Sequence, residues 1–114
     1  MAVTIYHNPR CSKSRQTLAL LEEKGVEPQI VEYLKTPPDA AKLAELLKLL
    51  GKRPAEILRK KEAKEAGIDP AGLDDAALID RMVANPAVIE RPIVVVDGRK
   101  ARLGRPPESV LEIL

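Results

Sequence analysis

The chain has no phenylalanine, no tryptophan, one cysteine, one histidine and two tyrosines among 114 residues. Each scarcity excludes something. Single-stranded nucleic acid is held on aromatic platforms, and Tyr6 and Tyr33 are the only aromatics present. A single cysteine forms no internal disulfide, which fits a reducing compartment. One cysteine and one histidine do not furnish the ligands of a structural zinc site. No apolar run approaches the ~18 residues of a membrane span, and the N-terminus lacks a signal-peptide pattern. Neither sign of charge is in large excess, since 19 basic against 17 acidic side chains leave only +2. That balance gives no reason to expect DNA or an anionic membrane as partner. These absences lead to the expectation of a soluble, cytoplasmic protein, and a monomer is the expected state. A chain of this length is expected to form one domain, spanning 1–114. Its core must come from Leu, Val, Ile and Ala, and it buries roughly two-thirds of the unfolded surface.

What is present is a clear order of elements. Residues 2–6 read as a short strand, and Ser12 to Lys24 as a helix stopped by Gly25. Leu18 and Leu21 are expected on its buried face. Gln29 to Tyr33 is a second β-like run, so the first two strands should be parallel. The stretch from about 36 to 86 reads as helical. Thr36-Pro37-Pro38-Asp39 opens a helix with a capping hydroxyl, and Leu43, Leu46, Leu47 and Leu50 follow at helical spacing. Pro54 opens a short helix through Arg59. The charge run Lys60 to Glu65 reads as a solvated helix end or loop. Asp74 caps a further helix ended by Asn85-Pro86. Ile93 to Val96 is an apolar β-branched run, hence a buried strand. Asp97-Gly98 is a hairpin signal returning an antiparallel strand from Arg99 to Leu103. Pro106-Pro107 begins a last helix, with Val110, Leu111 and Leu114 on its buried side. The order is β-α-β, a helical insert, then β-β-α. This is an α/β, thioredoxin-like order with a mixed sheet.

Cys11 is the residue that carries chemistry. It stands between the first strand and the first helix, among Arg10, Ser12, Lys13, Ser14 and Arg15, which are not core residues. A helix N-terminus presents unpaired N–H groups and partial positive charge, which stabilise a thiolate and an oxyanion alike. Position 14 is Ser, so there is no Cys-x-x-Cys pair, and an external thiol must resolve any oxidised state. A phosphatase-type loop needs Arg six residues after the cysteine, and Thr17 stands there. His7, four residues earlier, fits either a strand-end histidine or a neighbour supporting the thiolate. Arg91 and Arg105 each precede a proline at loop positions flanking the buried strand and hairpin. The planar fork of arginine suits tetrahedral oxyanions, although arginine is ordinarily solvated surface.

Tyr6-His7-Asn8-Pro9-Arg10-Cys11-Ser12-Lys13-Ser14-Arg15-Gln16-Thr17-Leu18 resembles the active-site loop of the glutaredoxin-coupled arsenate reductase (ArsC) family. Ile57-Leu58-Arg59-Lys60-Lys61, Asn85-Pro86, Glu90-Arg91-Pro92-Ile93-Val94-Val95 and Leu103-Gly104-Arg105-Pro106-Pro107-Glu108 extend the resemblance, in order, over essentially the whole chain. The resemblance implies a thioredoxin-like core with a helical insert. It implies Cys11 as nucleophile and His7 as its catalytic neighbour. Arg59, Arg91 and Arg105 become the oxyanion-binding arginines. Ser14 stands in the second-cysteine position of glutaredoxins and joins the oxyanion site. Pro92 is implied as a cis residue beside the site. Arg10 and Lys13 replace the small residues that flank the cysteine in well-known members, adding positive charge.

The implied reaction needs no bound cofactor. Arsenate binds at the helix start and the arginines, and the Cys11 thiolate attacks arsenic. Glutathione, as reducing co-substrate, brings arsenic to the trivalent state, and glutaredoxin removes it from Cys11. Regulators of the Spx type share this fold and bind RNA polymerase instead. Many of them carry a Cys-x-x-Cys switch, which Ser14 excludes here. A monothiol reductase for another substrate is a further alternative.

Overall fold

The computed structural model describes every residue, Met1–Leu114. The chain divides into two compact units, one made of Met1–Thr36 with Arg91–Leu114 and the other of Pro37–Glu90.

The first unit holds β1 (Val3–His7), α1 (Ser12–Glu23), β2 (Gln29–Glu32), β3 (Ile93–Val96), β4 (Lys100–Leu103) and a 3₁₀ helix at Pro107–Ile113. Its four strands form one sheet in the order β2-β1-β3-β4. β1 is parallel to β2, as the β-α-β pattern requires, and antiparallel to β3, which is antiparallel to β4. β3 is buried at all four positions, in keeping with its unbroken β-branched run. Val3 and Ile5 alternate inward from β1 and pack with Val94, Val96, Leu21, Val110 and Ile113. The hairpin turn places Asp97 and Gly98 at φ of 55° and 65°. Positive φ at both central residues is what an Asp-Gly hairpin turn supplies.

Two helical faces differ from expectation. On α1 the fully enclosed residues are Ser14, Thr17 and Leu21, whereas Leu18 is only half-buried. Small polar side chains near the helix start thus take a face expected to be leucine. The final segment is a 3₁₀ helix, not an α-helix. Its period of three buries Pro107, Val110 and Ile113. Leu111 is therefore half-buried and Leu114 is exposed, contrary to the α-helical spacing expected.

The second unit carries α2 (Ala40–Leu50), α3 (Lys60–Glu65) and α4 (Asp75–Ala84), with 3₁₀ turns at Pro54–Ile57, Pro70–Gly72 and Pro86–Val88. Leu43, Leu46, Leu47, Leu78 and Met82 are buried, matching the helical spacing of the sequence. The turn opened by Pro54 ends sooner than expected, because Leu58 is extended and bridges Ile89 antiparallel. The run Lys60–Glu65 is a helix with only Ala63 enclosed, which explains its polar composition. No helix is long and apolar enough to cross a membrane.

The cap of α2 is also corrected. Asp39, not the Thr36 hydroxyl, is the N-cap, and its carboxylate accepts the Lys42 N–H at 2.7 Å. Asp39→Ala should therefore cost about 1 kcal/mol in urea unfolding, and Thr36→Ala much less. Equal losses would contradict the assignment of the cap.

Candidate active site

Strand register gathers the candidate residues of the first unit at one end of the sheet. Tyr6 near the end of β1 pairs with Ile93 at the start of β3, and Ile93 pairs with Leu103 at the end of β4. The loop leaving β1, the segment entering β3 and the segment leaving β4 consequently lie side by side. They carry Cys11, Arg91-Pro92 and Gly104-Arg105 respectively. The Arg91–Pro92 peptide bond is cis, as the resemblance implied, and so is Arg105–Pro106, which was not anticipated. Gly104 N–H donates to the Pro92 carbonyl at 2.9 Å, and Arg105 Nε donates to the Arg91 carbonyl at 2.8 Å.

Cys11 is the N-cap residue of α1, with φ of −90° and ψ of 123°. Its N–H donates to the Asn8 carbonyl, and its carbonyl accepts from Arg15. A side-chain oxygen ordinarily sits at this position and receives N–H groups of the first turn. Cys11 makes no side-chain cap hydrogen bond, and its sulfur stands where the Lys13 and Ser14 N–H groups favour its anionic form. Burial pushes the thiol pKa up, but the Ser14 N–H, the Arg91 side chain and the Lys13 N–H together hold it below its ordinary value. Arg105 Nη2 stands 3.6 Å from the sulfur. Arg105 is solvent-exposed, so its field is screened more than that of half-buried Arg91. The thiol is half-buried and free. It combines reach with an electropositive setting.

Ser14 and His7 serve this loop from behind. The Ser14 side chain is fully enclosed; its hydroxyl accepts the Asn8 N–H at 3.0 Å and meets His7 Nδ1 at 2.6 Å. With that N–H already received, a hydroxyl that donates to Nδ1 leaves no proton unused. This arrangement takes His7 as neutral. Burial, opposed by Glu32 and aided by Arg15, holds the His7 pKa below its ordinary value. The Ser14 hydroxyl thus faces His7 and Asn8, while its N–H is the group that serves the thiol. Asn8 was not singled out from sequence. It is buried, its Oδ1 accepts the Arg10 N–H at 3.0 Å, and its carbonyl takes the Cys11 N–H. The Asn-Pro pair, a turn initiator, was the available signal. Arg15 Nη1 ties the same loop through the Pro9 carbonyl at 2.9 Å.

Arg59 belongs to the second unit. Its Nε donates to Glu62 at 2.8 Å and its Nη1 to Glu90 at 2.7 Å, with all three side chains about three-quarters enclosed. Burial disfavours the cation, and the two carboxylates more than offset that, so its pKa lies above the ordinary value. The structure therefore assembles Cys11, Ser14, His7, Pro92, Arg91 and Arg105 in one unit, and gives Arg59 two carboxylate partners in the other.

A sheet of this topology, with a cysteine of lowered pKa starting its first helix and arginines at the sulfur, defines a protein of thioredoxin-like fold with a candidate thiol site. The comparisons agree in detail. The ArsC family model matches residues 6–113. The chain is 60% identical to the Escherichia coli protein YfgD, covering 98% of this chain and 96% of that one. It is 47% identical to the arsenate reductase of Haemophilus influenzae over 100% of both chains. The solved arsenate reductase from Vibrio cholerae superposes with a TM-score of 0.93 at 51% identity, covering 100% of this chain and 98% of that one. The chain belongs to the ArsC family.

Two outcomes follow from the electrostatics. Iodoacetamide alkylation of Cys11 should reach half-maximal rate below the pH of an ordinary thiol. Arg91→Ala should move that midpoint upward and slow alkylation at pH 7 roughly threefold to tenfold. An unmoved midpoint would remove Arg91 from the thiol's surroundings. His7 has a folded-state pKa below its unfolded value, so its contribution to stability is complete above that unfolded value, about 6.5. It is lost as the pH falls from there through the folded-state pKa. Urea midpoints measured across this range should flatten in His7→Gln.

Proposed function

We propose that the protein reduces arsenate to arsenite, with Cys11 as nucleophile, glutathione as reductant and glutaredoxin as the protein that restores the thiol. The observation that carries this reading is the Cys11 sulfur at the start of α1, with the Arg91 and Arg105 guanidinium groups beside it. That setting suits a nucleophile whose target is a tetrahedral oxyanion. Relatives named arsenate reductase support the choice of arsenic as the central atom.

The reaction balances in three steps. The Cys11 thiolate attacks pentavalent arsenic, an As–O bond breaks, and the oxygen leaves as water after protonation. A sulfur–arsenic bond remains on Cys11. Helix-start N–H groups, Arg91 and Arg105 carry the charge on the remaining oxygens, and their fixed placement limits reorganisation. The thiolate of glutathione then attacks the Cys11 sulfur. The sulfur–arsenic electron pair stays on arsenic as a lone pair, so arsenic becomes trivalent and leaves as arsenite, an oxygen of which takes a proton, while Cys11 remains in a mixed disulfide with glutathione. Glutaredoxin attacks the glutathione sulfur and releases the Cys11 thiolate. A single cysteine requires such external thiols. The proposed compartment is the cytoplasm, where glutathione keeps thiols reduced.

His7 and Ser14 act by holding the loop, since His7 meets Ser14 and the Ser14 N–H faces the sulfur. Arg59 is fixed by Glu62 and Glu90, and the reading rests on the other two arginines. Arsenite formation by purified protein with arsenate, glutathione and glutaredoxin is the test. Cys11→Ser should lower it by at least ~10³-fold. Absence of arsenite with the wild-type chain, while Cys11 still reacts with iodoacetamide, would exclude arsenate as the substrate.

A further inference from the structure

Gly104 is a glycine for want of space. Its φ lies outside the left-handed region, so backbone freedom does not call for glycine. A Cβ at this position would overlap the Thr17 hydroxyl, lie 2.7 Å from Pro92 Cγ and lie 3.0 Å from Thr17 Cγ2. Thr17 and Pro92 are both fully buried, and closely packed interiors yield little to an added methyl.

The contact sits where three parts of the thiol site converge. The Thr17 hydroxyl donates to the Lys13 carbonyl at 2.8 Å, bracing the helical turn whose N–H groups face the sulfur. Pro92 follows Arg91 and accepts the Gly104 N–H. Arg105 follows Gly104 and bonds back to the Arg91 carbonyl. Any change in the separation of Gly104 from Thr17 is therefore passed to both arginine-bearing segments.

We propose that Gly104 and Thr17 form a positioning pair: the absent methyl at 104, against Thr17, sets how closely the Arg91-Pro92 and Gly104-Arg105 segments approach the first turn of α1, and so where both guanidinium groups stand relative to the Cys11 sulfur. The inference rests on Cys11 as the nucleophile of the proposed reaction and is independent of the identity of the oxyanion. Charge-assisted contacts weaken as they lengthen, so retreat of these segments leaves the thiolate less supported.

The experiment follows the pH dependence of Cys11 alkylation by iodoacetamide in Gly104→Ala, Thr17→Ala and the double variant, with thermal melting as a check of folding. Gly104→Ala should move the midpoint to higher pH and slow alkylation at pH 7 roughly threefold or more. The double variant should return part of the way towards Thr17→Ala, because alanine at 17 lacks two of the three atoms that the new methyl would strike and leaves only Pro92 Cγ. Should Gly104→Ala not fold, Thr17→Val carries the test. It keeps Gly104, places a methyl where the hydroxyl stands, and should move the midpoint the same way. A folded Gly104→Ala with the wild-type midpoint, a double variant that recovers nothing, or an unmoved midpoint in Thr17→Val would each overturn the proposal. The readout needs no arsenate, so failure of the arsenite assay and failure of this inference are separate results.

Discussion

A sulfur anion withdrawn from water is unfavourable unless donors meet it, and at Cys11 the donors outweigh the cost of burial. They do not come from one stretch of chain. Two are main-chain N–H groups of the turn that Cys11 itself begins, and the guanidinium groups arrive from the segments before β3 and after β4. Sheet register makes that meeting possible. A slip of one residue between β1 and β3 would turn each side chain of the slipped strand to the opposite face and carry the Arg91 segment away from the loop. The buried β-branched run of β3 holds the register, and the thiol chemistry is a consequence of it.

The two kinds of arginine environment are instructive. Arg91 and Arg105 face the Cys11 sulfur, whose anionic form they favour. Arg59 already has two carboxylates within 2.8 Å, both partly enclosed. A cation so compensated is fixed in orientation, and any further anion must compete with partners already in place. Short partly buried pairs of this sort hold their geometry far better than exposed pairs such as Arg53–Asp75.

Much of this was legible in the chain itself. The β3 run, the Asp97-Gly98 turn, the leucine spacing of α2 and the placement of Cys11 ahead of a helix each follow from local chemistry, and each stands where it was expected. On α1 the expectation and the structure differ because burial is decided by partners outside the helix. Ser14 and Thr17 look like exposed helix polar groups until His7 and Gly104 are set against them. The pairing of Arg59 with Glu62 follows the i, i+3 spacing of a helix, whereas Glu90 comes from far along the chain. The last helix was misjudged through its period: a 3₁₀ winding repeats every three residues, which exchanges Ile113 for Leu114 at the core. Gly104 gave no signal of its own, because its need for smallness resides in Thr17 and Pro92.

The hairpin at Asp97 also clasps the start of β1. The Ala2 N–H donates to the Asp97 carboxylate at 2.8 Å, and the Asp97 N–H donates to the Ala2 carbonyl at 2.7 Å. Between this clasp and the cysteine loop lies the five-residue strand β1, which at ~3.4 Å per residue spans about 17 Å. The sheet thus acts as a spacer with a mechanical end and a chemical end. A spectroscopic label or surface tether placed at the hairpin tip would grip the molecule without entering the field of the thiol, so that the single cysteine remains an undisturbed reporter.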